Sequence, residues 1–171
     1  MPLSRAHGKT PREPWQYGDM ALKEVKKWIN FRHRLVPYLY HAACQSHQSG
    51  IPMIRPLVME YPKDPIAKIQ NLSYMLGDAL LISPGFDRDE YELYLPEGRW
   101  QDIESKEVYE GMTFVHIENK AFADGGTSLR VFQKEGTSIP LFTQKEVLHV
   151  PAQLWKQEDL EFMTFQKKDV D

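Results

Sequence analysis

The periodicity of the apolar residues changes near Gly77-Asp78, and this change limits the folds open to the chain. Before this point, apolar residues recur at helical steps of three and four. After it, they form short runs separated by turn residues. The chain therefore combines a helical part with a β part. At 171 residues it has room for one ordinary domain or two small ones.

The N-terminal part carries one long helical pattern, from Asp19 to about His47. Gly18-Asp19 predicts its start, and Ser49-Gly50 predicts its end. Pro37 lies inside the pattern, so we expect a kink or two abutting helices, because proline lacks an N–H and clashes with the preceding turn. The basic residues on the opposite side predict a solvated helix face rather than a phosphate site.

A short apolar segment, Ile51–Glu60, shows little alternation and predicts a strand buried on both faces, as in a parallel sheet. After a turn, Asp64 and Pro65 predict the N-cap and first position of a second helix, Ile66–Leu76. Helix, buried strand and helix is the order of an α/β fold. One parallel strand cannot form a sheet alone, so we expect the rest of that sheet to lie outside this sequence.

Beyond Gly77-Asp78, short β segments at regular spacing predict an antiparallel sandwich. Turn residues such as Pro84-Gly85, Gly125-Gly126 and Glu135-Gly136 separate them. A further strand is predicted at Leu160–Phe165. The other predicted strands are Ala79–Ser83, Tyr91–Leu95, Thr113–Glu118, Leu129–Gln133 and Ser138–Thr143.

Charge and composition argue against several classes of function. With a net charge of −3, the chain lacks the excess of basic residues that is typical of nucleic-acid binders. The apolar runs are far shorter than the roughly 20 residues that span a bilayer, so no membrane segment is expected. One cysteine, Cys44, and histidines without metal-binding spacing predict no intrachain disulfide and no metal site. The single cysteine and the lack of a signal peptide favour the cytoplasm for the chain as given; the compartment of a longer parent stays open.

Four carboxylates near the ends of elements are formal candidates for acid/base chemistry: Asp19, Glu60, Asp64 and Asp78. Hydrolysis of a glycoside requires two carboxyl groups about 5–10 Å apart on one pocket wall. Helix caps and turns explain the same residue types at these positions. Spacing alone therefore predicts structural roles for all four and identifies no catalytic site.

An ordered series of local strings carries a more specific signal over roughly residues 4–142. The strings are Ser4–Gly8 (SRAHG), Pro11–Gly18 (PREPWQYG), Arg32–Tyr40 (RHRLVPYLY), Gly50–Leu57 (GIPMIRPL), Tyr74–Pro84 (YMLGDALLISP), Tyr94–Trp100 (YLPEGRW) and Glu135–Leu141 (EGTSIPL). Together, in this order and spacing, they resemble glycoside hydrolase family 31, which contains α-glucosidases, α-xylosidases and related enzymes. Any one string would be weak evidence, whereas the ordered set is specific.

The resemblance implies an α+β chain that consists of the final β/α units of a (β/α)8 barrel followed by an antiparallel β-sandwich. It assigns residues 1–78 to the C-terminal segment of the catalytic barrel and residues 79–155 to the proximal sandwich. Residues 156–171 are expected to begin a truncated distal β domain. The missing partners of the Ile51–Glu60 strand would then lie upstream in the full-length protein.

The resemblance also implies a function, that of a fragment of a retaining α-glycosidase acting on terminal α-linked glucosides or xylosides without a cofactor. In this family, the two catalytic aspartates lie on barrel strands upstream of the matched region. Neither motif has a counterpart here, so the resemblance implies no catalytic residue in this chain and no activity for the chain alone. Asp19-Met20 resembles the nucleophile motif only superficially, because the flanking residues differ.

Two positions carry over as candidate substrate-binding residues. His7 matches the family histidine that hydrogen-bonds the sugar on the non-reducing side of the scissile bond, a role that suits an imidazole N–H. Trp15, in the same loop, is a candidate for stacking on a sugar ring or for packing. Arg55 is expected to form a structural ion pair. Trp100 could offer a sugar-stacking platform, but packing between sandwich and barrel is the favoured role.

Two functions of different class stay open at this point. The fragment hypothesis predicts an exposed apolar seam around Ile51–Met59, which would associate with an upstream barrel fragment. The alternative is a non-catalytic protein whose β half binds carbohydrate or a partner, and it predicts a monomer that unfolds cooperatively without a complement. A third function, nucleic-acid binding through Lys23–Arg34, would require salt-dependent binding, against which the net charge argues.

Overall fold

The long helical pattern folds as two abutting helices, as predicted. The computed structural model describes residues 7–85, 90–118, 129–143 and 152–167. Helix α1 spans Asp19–Arg34, and helix α2 spans Val36–Ser49. Pro37 lies in the first turn of α2, where its missing N–H costs no helical hydrogen bond. Gly50 ends α2 with a φ of 75°, a left-handed conformation that glycine adopts readily.

The segment Ile51–Glu60 is not the strand that its apolar character predicts. It forms a three-residue strand, β1 (Ile54–Pro56), followed by a single helical turn, α3 (Leu57–Glu60). In β1 the charged Arg55 is buried, while Ile54 is exposed. The predicted parallel strand is therefore wrong. Proline explains its short length, because Pro56 has no N–H to donate to a sheet ladder.

The second predicted helix, Ile66–Leu76, is also wrong. Asp64 does cap a turn, since its Oδ1 accepts hydrogen bonds from the amides of Ile66 and Ala67 at 2.8 and 3.1 Å. The turn ends at Ile69, and the last residues form strand β2 (Tyr74–Leu76) instead. Because β2 pairs with neighbours on both sides and buries Met75 and Leu76, tertiary packing overrides the local helical pattern.

The β half contains the strands that the turn signals predict, together with two that the sequence did not reveal. The additional strands are β5 (Arg99–Asp102) and β6 (Val108–Glu110). The predicted strands are β3 (Leu80–Ser83), β4 (Glu90–Leu95), β7 (Thr113–Glu118), β8 (Arg130–Lys134), β9 (Thr137–Phe142) and β10 (Leu160–Phe165). The predicted turn at Gly125-Gly126 lies outside the described residues.

All strand pairs in the described part of the chain are antiparallel, as predicted for the β half. Six strands form one sheet in the order β1-β2-β3-β8-β5-β6, and β4-β7 and β9-β10 form two-stranded sheets. The large sheet therefore contains strands on both sides of the domain boundary predicted at residue 78. Strand β10 pairs along the whole of β9, and the assignment of residues 156–171 to a further domain stays a prediction.

The six-stranded sheet is the middle of three layers. On one face, Met75, Leu81 and Phe132 pack with residues of the β4-β7 pair, such as Leu93 and Ile117. Side chains that alternate with these along the strands point to the other face, where they meet α1 and α2. That second core contains Leu35, Leu39, Leu76, Leu80, Ile82 and Val131, among others. The alternation thus builds a β-sandwich core on one side of the sheet and a helix-covered core on the other.

A histidine on β7 lies among carboxylates on the outer face of the β4-β7 pair. Nδ1 of His116 is 2.9 Å from Oε1 of Glu92, and Nε2 is 3.6 Å from Oε2 of Glu90. The hydrogen bond to Glu92 is the main cause that raises the pKa of His116 above its ordinary value of 6.5, and Glu90 and Glu118 add to it. The charged imidazolium is therefore favoured in the folded state.

This arrangement predicts a pH-dependent contribution of His116 to stability. Because folding raises the pKa, the contribution is complete below the unfolded pKa of about 6.5 and is lost as pH rises through the higher folded value. Urea unfolding of the wild type and His116→Gln should therefore differ more at low pH than at high pH. A proton NMR titration of His116 should give a midpoint above 6.5, which Glu92→Gln should lower. A midpoint at or below 6.5 would contradict the assignment.

Candidate functional site

His7 lies in the segment that precedes α1, and its side chain is exposed. Ser4, Arg5 and Ala6 of the same string lie outside the described residues. The side chain of Arg12 passes so close to Gly8 that a Cβ added at Gly8 would collide with the Arg12 guanidine group. Glycine at this position therefore leaves room for the Arg12 side chain next to His7.

Trp15 belongs to a 3-10 helix, Pro14–Tyr17, between the His7 segment and α1. Pro14 begins this helix, and Gly18, with a φ of 89°, separates it from α1. Trp15 and Tyr17 are both more than half exposed. The two predicted sugar-binding side chains, His7 and Trp15, therefore lie at the surface of the same N-terminal segment, where their roles stay predictions.

Asp64 has partners that explain it as a turn residue. Its Oδ2 accepts a hydrogen bond from the Tyr94 hydroxyl at 2.6 Å, in addition to those from the two backbone amides at Oδ1. Burial opposes ionisation of Asp64, but these hydrogen bonds outweigh it and lower the pKa of the carboxyl below its usual value. Burial, followed by the bond to Asp64, raises the pKa of Tyr94 to about 12. A carboxylate held ionised in this way is poorly suited to donate a proton to a leaving group.

Arg55 forms the structural ion pair that its position predicts. Its side chain is only 8% exposed, and Nη2 lies 2.5 Å from Oδ1 of Asp78. Nε lies 3.4 Å from Oε2 of Glu60. Asp78 and Glu60 thus compensate a nearly buried charge, which would be costly to leave unpaired. With Asp64 held as a turn residue, three of the four candidate carboxylates have structural partners.

Trp100 is packed rather than presented to a ligand. It is fully buried in the core between the six-stranded sheet and β4-β7, and its Nε1–H donates to the Pro96 carbonyl at 2.8 Å. The prediction of a packing role is therefore confirmed, but this packing lies inside the sandwich. Tertiary contacts decide the location, because the local string gives no information about which layer covers the ring.

Metal sites and membrane-spanning helices are both absent from the residues that the structure describes. In that part of the chain, no group of three or more His, Cys, Asp and Glu side chains could hold a metal ion. Within the same ranges, no helix has both the length and the apolar character needed to cross a bilayer.

The seam around Ile51–Met59 exposes apolar side chains, as the fragment hypothesis predicts. Ile51, Ile54, Val58 and Met59 are each between 37 and 49% exposed. Helix α1 exposes Met20, Leu22 and Ile29 to a similar extent. Several large apolar side chains exposed on one segment are typical of a surface that another polypeptide covers.

An apolar cleft of about 330 Å³, which sequence reasoning missed, lies between α1 and the six-stranded sheet. Val25, Ile29 and Leu35 belong to its helical wall, and Leu80 and Val131 to its sheet wall. The periodicity of α1 correctly predicts an apolar face. It does not reveal that the sheet covers this face only in part, because that depends on where the distant strands β3 and β8 lie.

Two family models match the chain. The model of the glycosyl hydrolase family 31 C-terminal domain matches residues 50–145, and that of the family 31 TIM-barrel domain matches residues 1–42. The first match alone covers more than half of the chain.

Similar proteins and structures come from the same group of enzymes. A 1,6-alpha-glucosyltransferase of Sporosarcina globispora is 34% identical over 149 residues, which make up 84% of this chain and 11% of that protein. Alpha-glucosidase 2 of Bacillus thermoamyloliquefaciens is 32% identical over 88% of this chain and 19% of its own length. The structure of a cycloalternan-forming enzyme from Listeria monocytogenes superimposes with a TM-score of 0.75 at 32% identity, over 91% of this chain and 15% of that one.

A family 31 dextranase of Flavobacterium johnsoniae also superimposes, with a TM-score of 0.70 and 31% identity over 79% of this chain and 16% of that one. The chain thus spans less than a fifth of the length of each of these proteins. The order of the two matched models agrees with the α+β architecture, in which helices precede a β-sandwich. The chain belongs to glycoside hydrolase family 31.

Proposed function

We propose that this chain is the C-terminal part of a retaining α-glycosidase that hydrolyses terminal α-linked glucosides or xylosides. In this proposal the catalytic nucleophile and acid/base are aspartates of an upstream barrel segment, and the chain alone is inactive. His7 and Trp15 contribute to the sugar-binding pocket of the assembled barrel. The names of the relatives, which include an alpha-glucosidase and an alpha-xylosidase, support the substrate class.

The exposed apolar surface of α1 is the observation that carries this proposal. Helix α1 lies within residues 1–42, which match the TIM-barrel model, and Met20, Leu22 and Ile29 are exposed along it. In a complete barrel, a helix buries its apolar stripe against neighbouring strands and helices. An upstream barrel segment would cover these side chains, whereas the alternative of a self-sufficient binding module does not explain them.

The chemistry assigned to His7 depends on its N–H groups. A neutral imidazole has one N–H donor, which can bond a sugar hydroxyl while charge develops on the ring oxygen and anomeric carbon. Trp15 offers an exposed indole face, on which the apolar face of a pyranose ring can stack. Neither side chain supplies a nucleophile or a proton donor of the required type, so both act by binding and orienting the sugar.

The first test measures hydrolysis of aryl α-glucoside and aryl α-xyloside by the purified chain. We expect no turnover, because loss of either catalytic carboxylate typically reduces the rate by on the order of 10³-fold or more. A chimera should restore turnover if residues 1–171 replace the matching segment of Alpha-glucosidase 2 from Bacillus thermoamyloliquefaciens. Turnover by the chain alone that disappears in Asp19→Asn or Asp64→Asn would contradict the proposal.

The same chimera tests His7. We expect His7→Ala to lower kcat/KM by about tenfold to a hundredfold, the loss of one hydrogen bond that strengthens in the transition state. His116→Ala, on the outer face of the β4-β7 pair, is the matched control and should leave kcat/KM unchanged. Equal activity of the His7→Ala chimera and the parent chimera would remove His7 from the sugar site.

A further inference from the structure

The apolar cleft between α1 and the six-stranded sheet takes no part in sugar binding by His7 and Trp15. Its volume is about 330 Å³, and most of the side chains that line it are aliphatic or aromatic. We propose that this cleft is a docking site for the upstream barrel segment, whose apolar side chains fill it and hold the two parts together without a peptide link. This inference rests on the proposed function, which requires that segment as a partner.

The cleft is continuous with the exposed apolar stripe of α1. Leu22, Val25 and Ile29 are spaced three and four residues apart, so they lie on one face of the helix. Val25 and Ile29 line the cleft, and Leu22 lies about one turn nearer to the start of α1. Leu22 and Ile29 are 37 and 46% exposed. A partner that covers the stripe therefore also reaches the cleft, because Ile29 belongs to both.

The two walls of the cleft match different family models. Helix α1 lies within residues 1–42, which match the TIM-barrel model, whereas β3 and β8 lie within residues 50–145, which match the C-terminal-domain model. A (β/α)8 barrel takes about 250 residues, so residues 1–42 supply only a small part of one. The cleft therefore lies where a helix of an incomplete barrel meets the C-terminal domain.

The strand pairing indicates which surface would complete the contacts of α1. The helices of a (β/α)8 barrel pack against its parallel strands. Every strand pair within the described ranges is antiparallel, so none of these strands supplies that surface. The remaining strands and helices of the barrel would bring apolar side chains to α1. A second copy of the chain brings the same antiparallel strands, so it is not the expected occupant.

A charge on the wall of the cleft should oppose docking. Removal of Ile29 and its apolar neighbours from water favours association. Ile29→Asp would instead require a carboxylate to be buried without a partner, which is strongly unfavourable. Because Ile29 is nearly half exposed in the chain alone, the substitution should change the urea unfolding midpoint of the 171-residue chain only slightly. A loss of association would then not be explained by unfolding of the chain.

The test uses the chimera with Alpha-glucosidase 2 of Bacillus thermoamyloliquefaciens, with a protease site inserted before residue 1 and cleaved after folding. We expect the two polypeptides to elute together in size-exclusion chromatography and to continue to hydrolyse aryl α-glucoside. On dilution of the cleaved chimera, Ile29→Asp should weaken the association by about tenfold or more. Ile69→Asp is the matched control and should leave it unchanged, because Ile69 is 77% exposed but does not line the cleft.

Chromatography and hydrolysis separate the two possible failures. An uncleaved chimera that elutes normally but does not hydrolyse the glucoside contradicts the proposed function, while elution of the cleaved parts together still supports docking. The docking site is overturned if the two polypeptides separate on cleavage, or if the Ile29→Asp parts associate as tightly as the parent parts. It is also overturned if the chain alone forms a dimer that Ile29→Asp dissociates, because a second copy would then occupy the cleft.

Discussion

Trp100→Ala is expected to lower the free energy of unfolding by about 3–5 kcal/mol. The indole is fully buried between the six-stranded sheet and β4-β7, so its removal leaves a large cavity in the sandwich core. It also leaves the Pro96 carbonyl without the N–H that it accepts at 2.8 Å. Urea unfolding followed by circular dichroism should show a lower midpoint with an unchanged slope.

Two variants separate the causes of this loss. Trp100→Phe keeps most of the apolar volume but removes the N–H donor, so we expect it to cost about 1–3 kcal/mol. Trp15→Ala removes the same side chain from a position that is 61% exposed and should change stability by about 0.5 kcal/mol or less. If Trp100→Ala and Trp15→Ala had similar midpoints, Trp100 would not be part of the core.

Gly77→Ala is expected to destabilise the chain by about 3 kcal/mol or more. Gly77 has a φ of 59°, where a side chain costs about 1–2 kcal/mol. A Cβ would also lie 2.8 Å from Cζ of Tyr38 and would collide with its hydroxyl. That hydroxyl donates to the Leu76 carbonyl at 2.7 Å and accepts from the Ala79 amide at 3.0 Å. Displacing Tyr38 would break both bonds, each worth about 1 kcal/mol.

A double-mutant cycle measures the contribution of the collision. In a Tyr38→Phe background the hydroxyl is absent, so adding Gly77→Ala should cost less than it does in the wild type, by about 0.5–3 kcal/mol. Gly50→Ala is the matched control, because Gly50 also has a positive φ, of 75°, but a Cβ there meets no atom within 4 Å. Additive effects of Gly77→Ala and Tyr38→Phe on the free energy of unfolding would show that contact with the Tyr38 hydroxyl is not what destabilises an alanine at position 77.

Local signals predicted α1, α2 and most of the strands of the β half, because each of these elements depends on neighbouring residues. A proline inside a continuous helix removes a backbone hydrogen bond, so Pro37 predicts a break between α1 and α2. Gly50 adopts the left-handed conformation that ends a helix. The two wrong elements, Ile51–Glu60 and Ile66–Leu76, are the places where distant partners decide. Strand β2 exists because β1 and β3 pair with it from either side.

The candidate sites also divide into those that the local sequence predicts and those that distant contacts decide. The string around His7 and the family resemblance were readable from the sequence, and the family models confirm the resemblance. The exposed seam at Ile51–Met59 was predicted as well, from its apolar residues and from the barrel partners that the family resemblance implies upstream. The apolar cleft between α1 and the six-stranded sheet could not be predicted, since Ile29, Leu80 and Val131 come from three distant parts of the chain.

The sequence by itself determined the helix boundaries at Gly18 and Gly50, most of the antiparallel strands of the β half and the family to which the chain belongs. The boundaries and strands follow from dihedral preferences and short-range periodicity, which act within a few residues, whereas the family follows from the ordered series of local strings. Only the tertiary structure decided that Arg55 is buried against Asp78, that Trp100 packs inside the sandwich, and that α1 leaves part of its apolar face uncovered. Those outcomes depend on which distant surfaces meet, and the burial free energy of the whole sheet, not local preference, selects them.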